Sequence, residues 1–129
     1  MAELKPGMIG ESTEPVTDQV TAASFGSGMV RAYATPAMIA LMENASVRAI
    51  QPHLGVGQTS VGIEIHIKHF AATPIGMTAR AHAQVTAVDG RRITFQVDCW
   101  DDAEKIGEGT HTRLVVDEAR FKERLLKKN

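Results

Sequence analysis

Three stretches of the chain alternate apolar and polar residues with a period of two. Val61–Lys68 sets Ile63, Ile65 and Ile67 on one face and Glu64, His66 and Lys68 on the other. Met77–Val88 turns Ala79, Ala81, Ala83 and Val85 one way and Arg80, His82, Gln84 and Thr86 the other. Ile93, Phe95, Val97 and Cys99 then share a face, after the hairpin signal Asp89-Gly90. This period predicts half-buried strands. Lys105–Val116 reads as a further strand, with Gly107 and Gly109 permitting a bend or a close backbone approach. Before the strands the period changes. Thr35 reads as an N-cap and Pro36 as the first helical residue, and AMIALMENASVRAI continues without a breaker until Pro52. Its apolar residues lie on nearly every face, which predicts a largely buried helix. Upstream, a short strand over Val16–Thr21 and a flexible loop over Ser24–Gly28 are expected. Asp117–Asn129 reads as a short charged helix in which Phe121 and Leu125 form an i,i+4 apolar pair.

One buried helix followed by antiparallel strands with short connections needs a cover for the strands' apolar face. The economical arrangement is an α+β fold, a curved antiparallel sheet of about five strands wrapped around one central helix. Such a sheet has edges, and pairing them in a homodimer removes the exposed backbone groups. A length of 129 residues makes one domain, 1–129. The 14 Lys and Arg nearly cancel the 15 Asp and Glu, which argues against a nucleic-acid partner held by bulk positive charge. The longest run free of Asp, Glu, Lys and Arg, Ala49–Ile63, contains Pro52 and three glycines, so no membrane span is expected. One cysteine, Cys99, leaves no disulfide framework and no thiolate metal site. With no apolar leader at the N-terminus, the expectation is a cytoplasmic protein without membrane contact.

Several residues can carry chemistry. Glu43 lies on the helix among Ile39, Val47 and Ile50; a carboxylate there is either a proton-transfer group or a helix-edge residue that pairs with Arg48 or faces solvent. His69 continues the parity of Ile63, Ile65 and Ile67 to the end of its strand, as an imidazole facing the helix or as a satisfied core histidine. The Thr35 hydroxyl is a helix cap or, beside the free N–H groups of a helix N-terminus, a partner for a developing oxyanion. Gly62 permits a close substrate approach. Arg113 meets a carboxylate or phosphate, or is a solvated strand arginine. Cys99 shares the parity of core residues. A metal site on His66 and His69 is disfavoured, because i,i+3 on a strand points to opposite faces. No phosphate loop and no nucleophile elbow occurs.

The segments TPAMIALMENASVRAIQPHL, TSVGIEIHIKHFAATPIGMTARAHAQVTAVDGRRITFQVDCWD and EKIGEGTHTRLVV, spanning about Thr35–Val116, resemble the hotdog-fold acyl-CoA thioesterases, most closely the fluoroacetyl-CoA-specific type. The resemblance implies a hotdog fold, a homodimer with sites near the subunit interface, and hydrolysis of a small acyl-CoA thioester. It implies catalytic roles for Thr35, Glu43 and His69 and substrate-positioning roles for Gly62 and Arg113, with no metal and no cofactor beyond the CoA of the substrate. Two rival activities are a hotdog dehydratase, whose Asp/His motif is not found, and an acyl-CoA or acyl-ligand binding module without turnover. The chain departs from the fluoroacetyl-specific pattern before the helix. An aromatic-rich lid segment is replaced by Ala22-Ala23-Ser24-Phe25-Gly26-Ser27-Gly28-Met29, and Pro36 stands in place of a glycine. Selectivity for fluorine does not follow.

Overall fold

The computed structural model describes residues 3–128. Five strands, β1 (Ile9–Pro15), β2 (Gln58–His69), β3 (Thr78–Asp89), β4 (Arg92–Trp100) and β5 (Lys105–Asp117), form one sheet in the order β1-β3-β4-β5-β2. Every neighbouring pair is antiparallel. Helix α2 (Thr35–Ile50) lies in the curve of the sheet, after a one-turn helix α1 (Ala22–Phe25), and α3 (Glu118–Leu126) follows β5. The expected α+β architecture, one central helix in a curved five-stranded sheet, is present.

The alternation decides what faces the helix. Ala79, Ala81, Ala83 and Val85 of β3, and Ile93, Phe95, Val97 and Cys99 of β4, are all buried. Small residues on β3 and large ones on β4 let α2 lie close to one side of the sheet while Met38 and Met42 fill the other. Each fully buried side chain of this size contributes about 1.5–3 kcal/mol. The β3–β4 connection is the two-residue loop Gly90-Arg91, since Asp89 pairs with Arg92. Gly90 takes φ +60° there, a value that favours glycine. Cys99 is core as expected, its thiol pushed up to about 12 by burial.

Three details differ from the sequence expectation. The first strand is Ile9–Pro15 rather than Val16–Thr21, which forms a 3-10 turn over Asp18–Val20. The inward residues of β1 are Gly10 and Ser12, so no apolar alternation marks it. An added Cβ on Gly10 would stand 2.1 Å from the Ala45 carbonyl oxygen, so helix and strand touch backbone to backbone. Helix α2 is not closed on all sides: Pro36, Ala40, Asn44 and Arg48, at i,i+4 spacing, form an exposed stripe along it. The charged tail helix is confined to Glu118–Leu126 with Asp117 as its N-cap, and Asn129 lies outside the described residues.

Candidate active site

The N-cap of α2 is Ala34, and Thr35 is already inside the helix. Its hydroxyl therefore does not cap. It lies 2.7 Å from Nδ1 of His69, the last residue of β2. Opposite His69 in the ladder is Gly107, where a Cβ would stand 2.7 Å from the Met38 sulfur, so a glycine there lets Met38 pack beneath the sheet. Burial pushes the His69 imidazole below its ordinary value, with the Ala71 carbonyl opposing. The other ring nitrogen, Nε2, is buried and meets no hydrogen-bond partner among the described residues. A neutral imidazole of this kind takes up or hands over a proton within the pH range where an enzyme works.

A second cluster forms further along the helix. The Glu43 carboxylate lies 3.5 Å from the Arg113 guanidinium and 4.0 Å from Nε2 of His111. Gly62 is directly beneath it: an added Cβ would stand 2.6 Å from Glu43 Oε2. Arg48, the alternative partner of Glu43, donates to Asn44 instead. Arg113 is buried and anchored on β2, donating from Nε to the Ser60 hydroxyl at 2.8 Å and from Nη2 to the Ser60 carbonyl at 3.0 Å. Its burial lowers the guanidinium from its ordinary value, and Glu43 opposes that shift.

Gly62 and His69 have opposite parity, so a regular strand could not turn both toward α2. The register of β2 against β5 shifts between Gly62 and Glu64. This bulge puts Ser60 and Gly62 inward on one side of it and Ile65, Ile67 and His69 inward on the other. Ile63, at the irregularity, is 44% exposed. The bulge is what allows one strand to serve both clusters.

The structure thus brings Thr35 to His69, and Glu43 to Gly62 and Arg113, but within one protomer it does not join the two groups. Thr35 and Glu43 are eight residues apart on a helix, roughly 12 Å along its axis. Ser60 and His111 were not singled out from the sequence. His111 shares the parity of Arg113 on β5, and this was the available signal. Among the described residues no group of three or more His, Cys, Asp or Glu side chains could hold a metal ion, and no helix is long and apolar enough to cross a membrane.

Comparison with known proteins places this geometry in a family. The family described as fluoroacetyl-CoA-specific thioesterase, FlK, matches residues 16–119. The fluoroacetyl-CoA thioesterase of Streptantibioticus cattleyicolor is 41% identical over 96 residues, covering 74% of this chain and 69% of that one. The solved structure of the fluoroacetyl-CoA thioesterase FlK superposes with a TM-score of 0.93 at 32% identity, covering 98% of each chain. A thioesterase superfamily member from Thermus thermophilus gives 0.89 at 26% identity, over 99% of this chain and 96% of that one. With most of the chain matched in sequence and nearly all of it in structure, this protein belongs to the fluoroacetyl-CoA-specific thioesterase family, whose members are hotdog-fold acyl-CoA thioester hydrolases.

Proposed function

We propose that the protein hydrolyses a small acyl-CoA thioester to the carboxylic acid and CoA, with Thr35, Glu43 and His69 as catalytic residues and Gly62 and Arg113 as positioning residues. The observation that supports this reading is the 2.7 Å contact between the Thr35 hydroxyl and the His69 imidazole, a partner that a capping role for the threonine does not require. The Thr35 hydroxyl polarises the thioester carbonyl oxygen at the helix N-terminus. Glu43 adds to the carbonyl carbon, directly or through a water whose proton it takes. Where Glu43 takes a proton from water, the hydroxide forms the tetrahedral centre, the C–S bond breaks, and that proton passes through His69 to the departing thiolate. Where Glu43 adds directly, breakage of the C–S bond leaves a mixed anhydride, which a water then hydrolyses, its proton passing through His69 to the thiolate as the acid leaves and the Glu43 carboxylate is restored. CoA enters as part of the substrate, and these steps use no metal and no other cofactor. Fluorine selectivity is not part of the proposal: Phe25 and Met29 of the segment before the helix are exposed, Met29 at 96%.

The working unit in this reading is a cytoplasmic homodimer. Strand β2 is a sheet edge with Ile63 exposed and Ile65 and Ile67 half-buried. Such an edge pairs readily with its own copy. If two β2 strands pair antiparallel with Ile65 and His66 beside the two-fold axis, Gly62 faces His69 of the partner subunit. Glu43 of one protomer then shares a cleft with the partner's Thr35 and His69, and the roughly 12 Å separation within a protomer ceases to be an obstacle.

The test is free-thiol release from a panel of short, branched, aromatic and halogenated acyl-CoAs. Glu43→Gln is expected to lower kcat by at least about 100-fold while the protein stays folded. An unchanged kcat defeats the assignment. Binding of acyl-CoA by the parent protein without thiol release would identify a binding module instead.

A further inference from the structure

On β5 the inward residues are Gly107, Gly109, His111, Arg113 and Val115. His111 has no exposed side-chain surface and stacks on Phe95, ring centroids 6.0 Å apart. Its hydrogen bonds fix its protonation. Nδ1 lies 2.9 Å from the Glu64 carbonyl oxygen, which accepts only, so Nδ1 carries the proton. Nε2 lies 3.1 Å from Nη1 of Arg113, which donates only, so Nε2 offers its lone pair. A doubly protonated ring cannot satisfy both contacts.

The charged groups around the ring are few. Arg113 lies on the same strand, Glu43 comes from α2 at 4.0 Å, and the Glu64 side chain points to the other face of β2, toward Thr112. Burial and Arg113 push the His111 imidazole below its ordinary value, against the Glu64 carbonyl and Glu43. The guanidinium is held by Ser60 at Nε and Nη2 and by His111 at Nη1 before it reaches Glu43, also through Nη1.

We propose that His111 is a positioning residue of the active site: by accepting a hydrogen bond from Arg113 it sets the guanidinium so that Nη1 fixes the Glu43 carboxylate over Gly62. This deepens the thioesterase reading above and rests on it. It also gives Arg113 the task of holding Glu43, since four of the five guanidinium N–H groups go to Ser60, His111 and Glu43.

The experiment combines kinetics with imidazole nitrogen NMR on the full chain. Acetyl-CoA is the probe, or whichever acyl-CoA of the panel turns over fastest. His111→Phe keeps the ring shape and removes the acceptor. It should lower kcat about 10–100-fold with KM changed less than about threefold, since a carboxylate displaced by roughly 1 Å loses that much. His111→Gln restores an acceptor toward Arg113 and should return kcat to within about threefold of the parent; His111→Asn, too short to reach, should not. In an Arg113→Met background, adding His111→Phe should change kcat less than about twofold, because the contact it removes is already gone. A fully active, folded His111→Phe overturns the proposal, as do effects of the two substitutions that multiply. If His111→Phe does not fold, the contrast between Gln and Asn decides, and equal kcat for those two overturns it.

The NMR arm does not depend on turnover. The parent should show His111 as the neutral Nδ1–H tautomer, and Arg113→Met should shift its Nε2 resonance. A protonated Nε2, or a resonance indifferent to Arg113, overturns the contact even in a protein with no thioesterase activity, whereas absence of turnover with the expected NMR behaviour overturns the functional reading alone.

Discussion

Gly62→Ala separates the position of the Glu43 carboxylate from the stability of the fold. The added methyl would stand 2.6 Å from Glu43 Oε2, 3.1 Å from His111 Cε1 and 3.4 Å from Arg113 Nη1. The last distance is ordinary contact and the second needs a few tenths of an ångström. The first is short by about 0.8 Å or more of van der Waals contact. The atom in the way is the tip of a flexible side chain that is 39% exposed, so Glu43 swings toward solvent rather than the strand moving. The backbone at Gly62 is not in the positive-φ region, so alanine adopts it without strain. Loss of glycine's freedom in the unfolded chain offsets part of the contact penalty, by about 0.4–1 kcal/mol. The net change in stability should stay within about 1 kcal/mol, roughly 3–5 °C in Tm. Activity should respond far more, because the displaced carboxylate also gives up its 3.5 Å contact with Arg113. The expected fall in kcat is about 10–100-fold with KM changed less than about threefold. Thiol release and thermal melts on the same preparation measure both. A raised KM with kcat intact would refute the reasoning and give Gly62 the role of a substrate contact.

Gly10→Ala is the opposite case, because its methyl would meet the backbone of α2, at 2.1 Å from the Ala45 oxygen and 2.6 Å from the Ala49 nitrogen. Helix backbone cannot step aside, so a loss of at least about 2 kcal/mol in urea denaturation is expected, and parental stability would mean that β1 does not press on the helix. Stability should also depend on pH through His111 and His69, whose folded-state values are depressed mainly by burial. The unfolded chain takes up protons near pH 6.5 where the folded one does not, so the stabilisation is present above that pH and is lost as pH falls below it, at up to about 1.4 kcal/mol per unit for His111. Urea midpoints at pH 7 and pH 5 should differ in that direction, and His111→Gln should flatten the slope; a midpoint higher at pH 5 contradicts the assignment.

The elements legible in the sequence are those with a periodic apolar face, β2, β3, β4 and α2, together with β5, which reads as a strand despite Gly107 and Gly109. Strand β1 was not, because its inward residues are Gly10 and Ser12. The contact with α2 is made by backbone and by the Ser12 hydroxyl donating to Asn44, neither of which leaves a hydrophobic pattern. Gly62 and His69 could each be suspected, yet a strict period of two separates them, and a one-residue bulge has no residue type that announces it. Thr35 followed by Pro36 has the composition of a helix cap, but the helix begins one residue earlier and the hydroxyl goes to β2. His111 and Ser60 are obscured because their importance lies in what they do to Arg113: Ser60 is 53 residues away and reaches it only through the β2–β5 pairing, and His111, two residues away, is fixed in its tautomer by the carbonyl of Glu64, 47 residues away.

The separation of Glu43 from the Thr35–His69 pair has a consequence that single-subunit mutants cannot show. Both groups stand on α2 and β2, two regular elements hydrogen-bonded along their length, so no side-chain rotation closes about 12 Å and only unfolding of the helix would. A composite cleft across a two-fold axis uses Glu43 of one protomer with Thr35 and His69 of the partner subunit. Glu43→Gln and His69→Ala preparations are each expected to be nearly inactive. Unfolding and refolding them together in equal amounts makes about half the dimers mixed. In a mixed dimer one cleft carries both lesions and the other carries neither. Activity should therefore recover to roughly a quarter of the parental value, provided exchange is complete. Recovery to that level is possible only if the two residues act across subunits; a mixture as inactive as its components would place the whole reaction within one protomer and require a rearrangement of α2 that the fold does not offer.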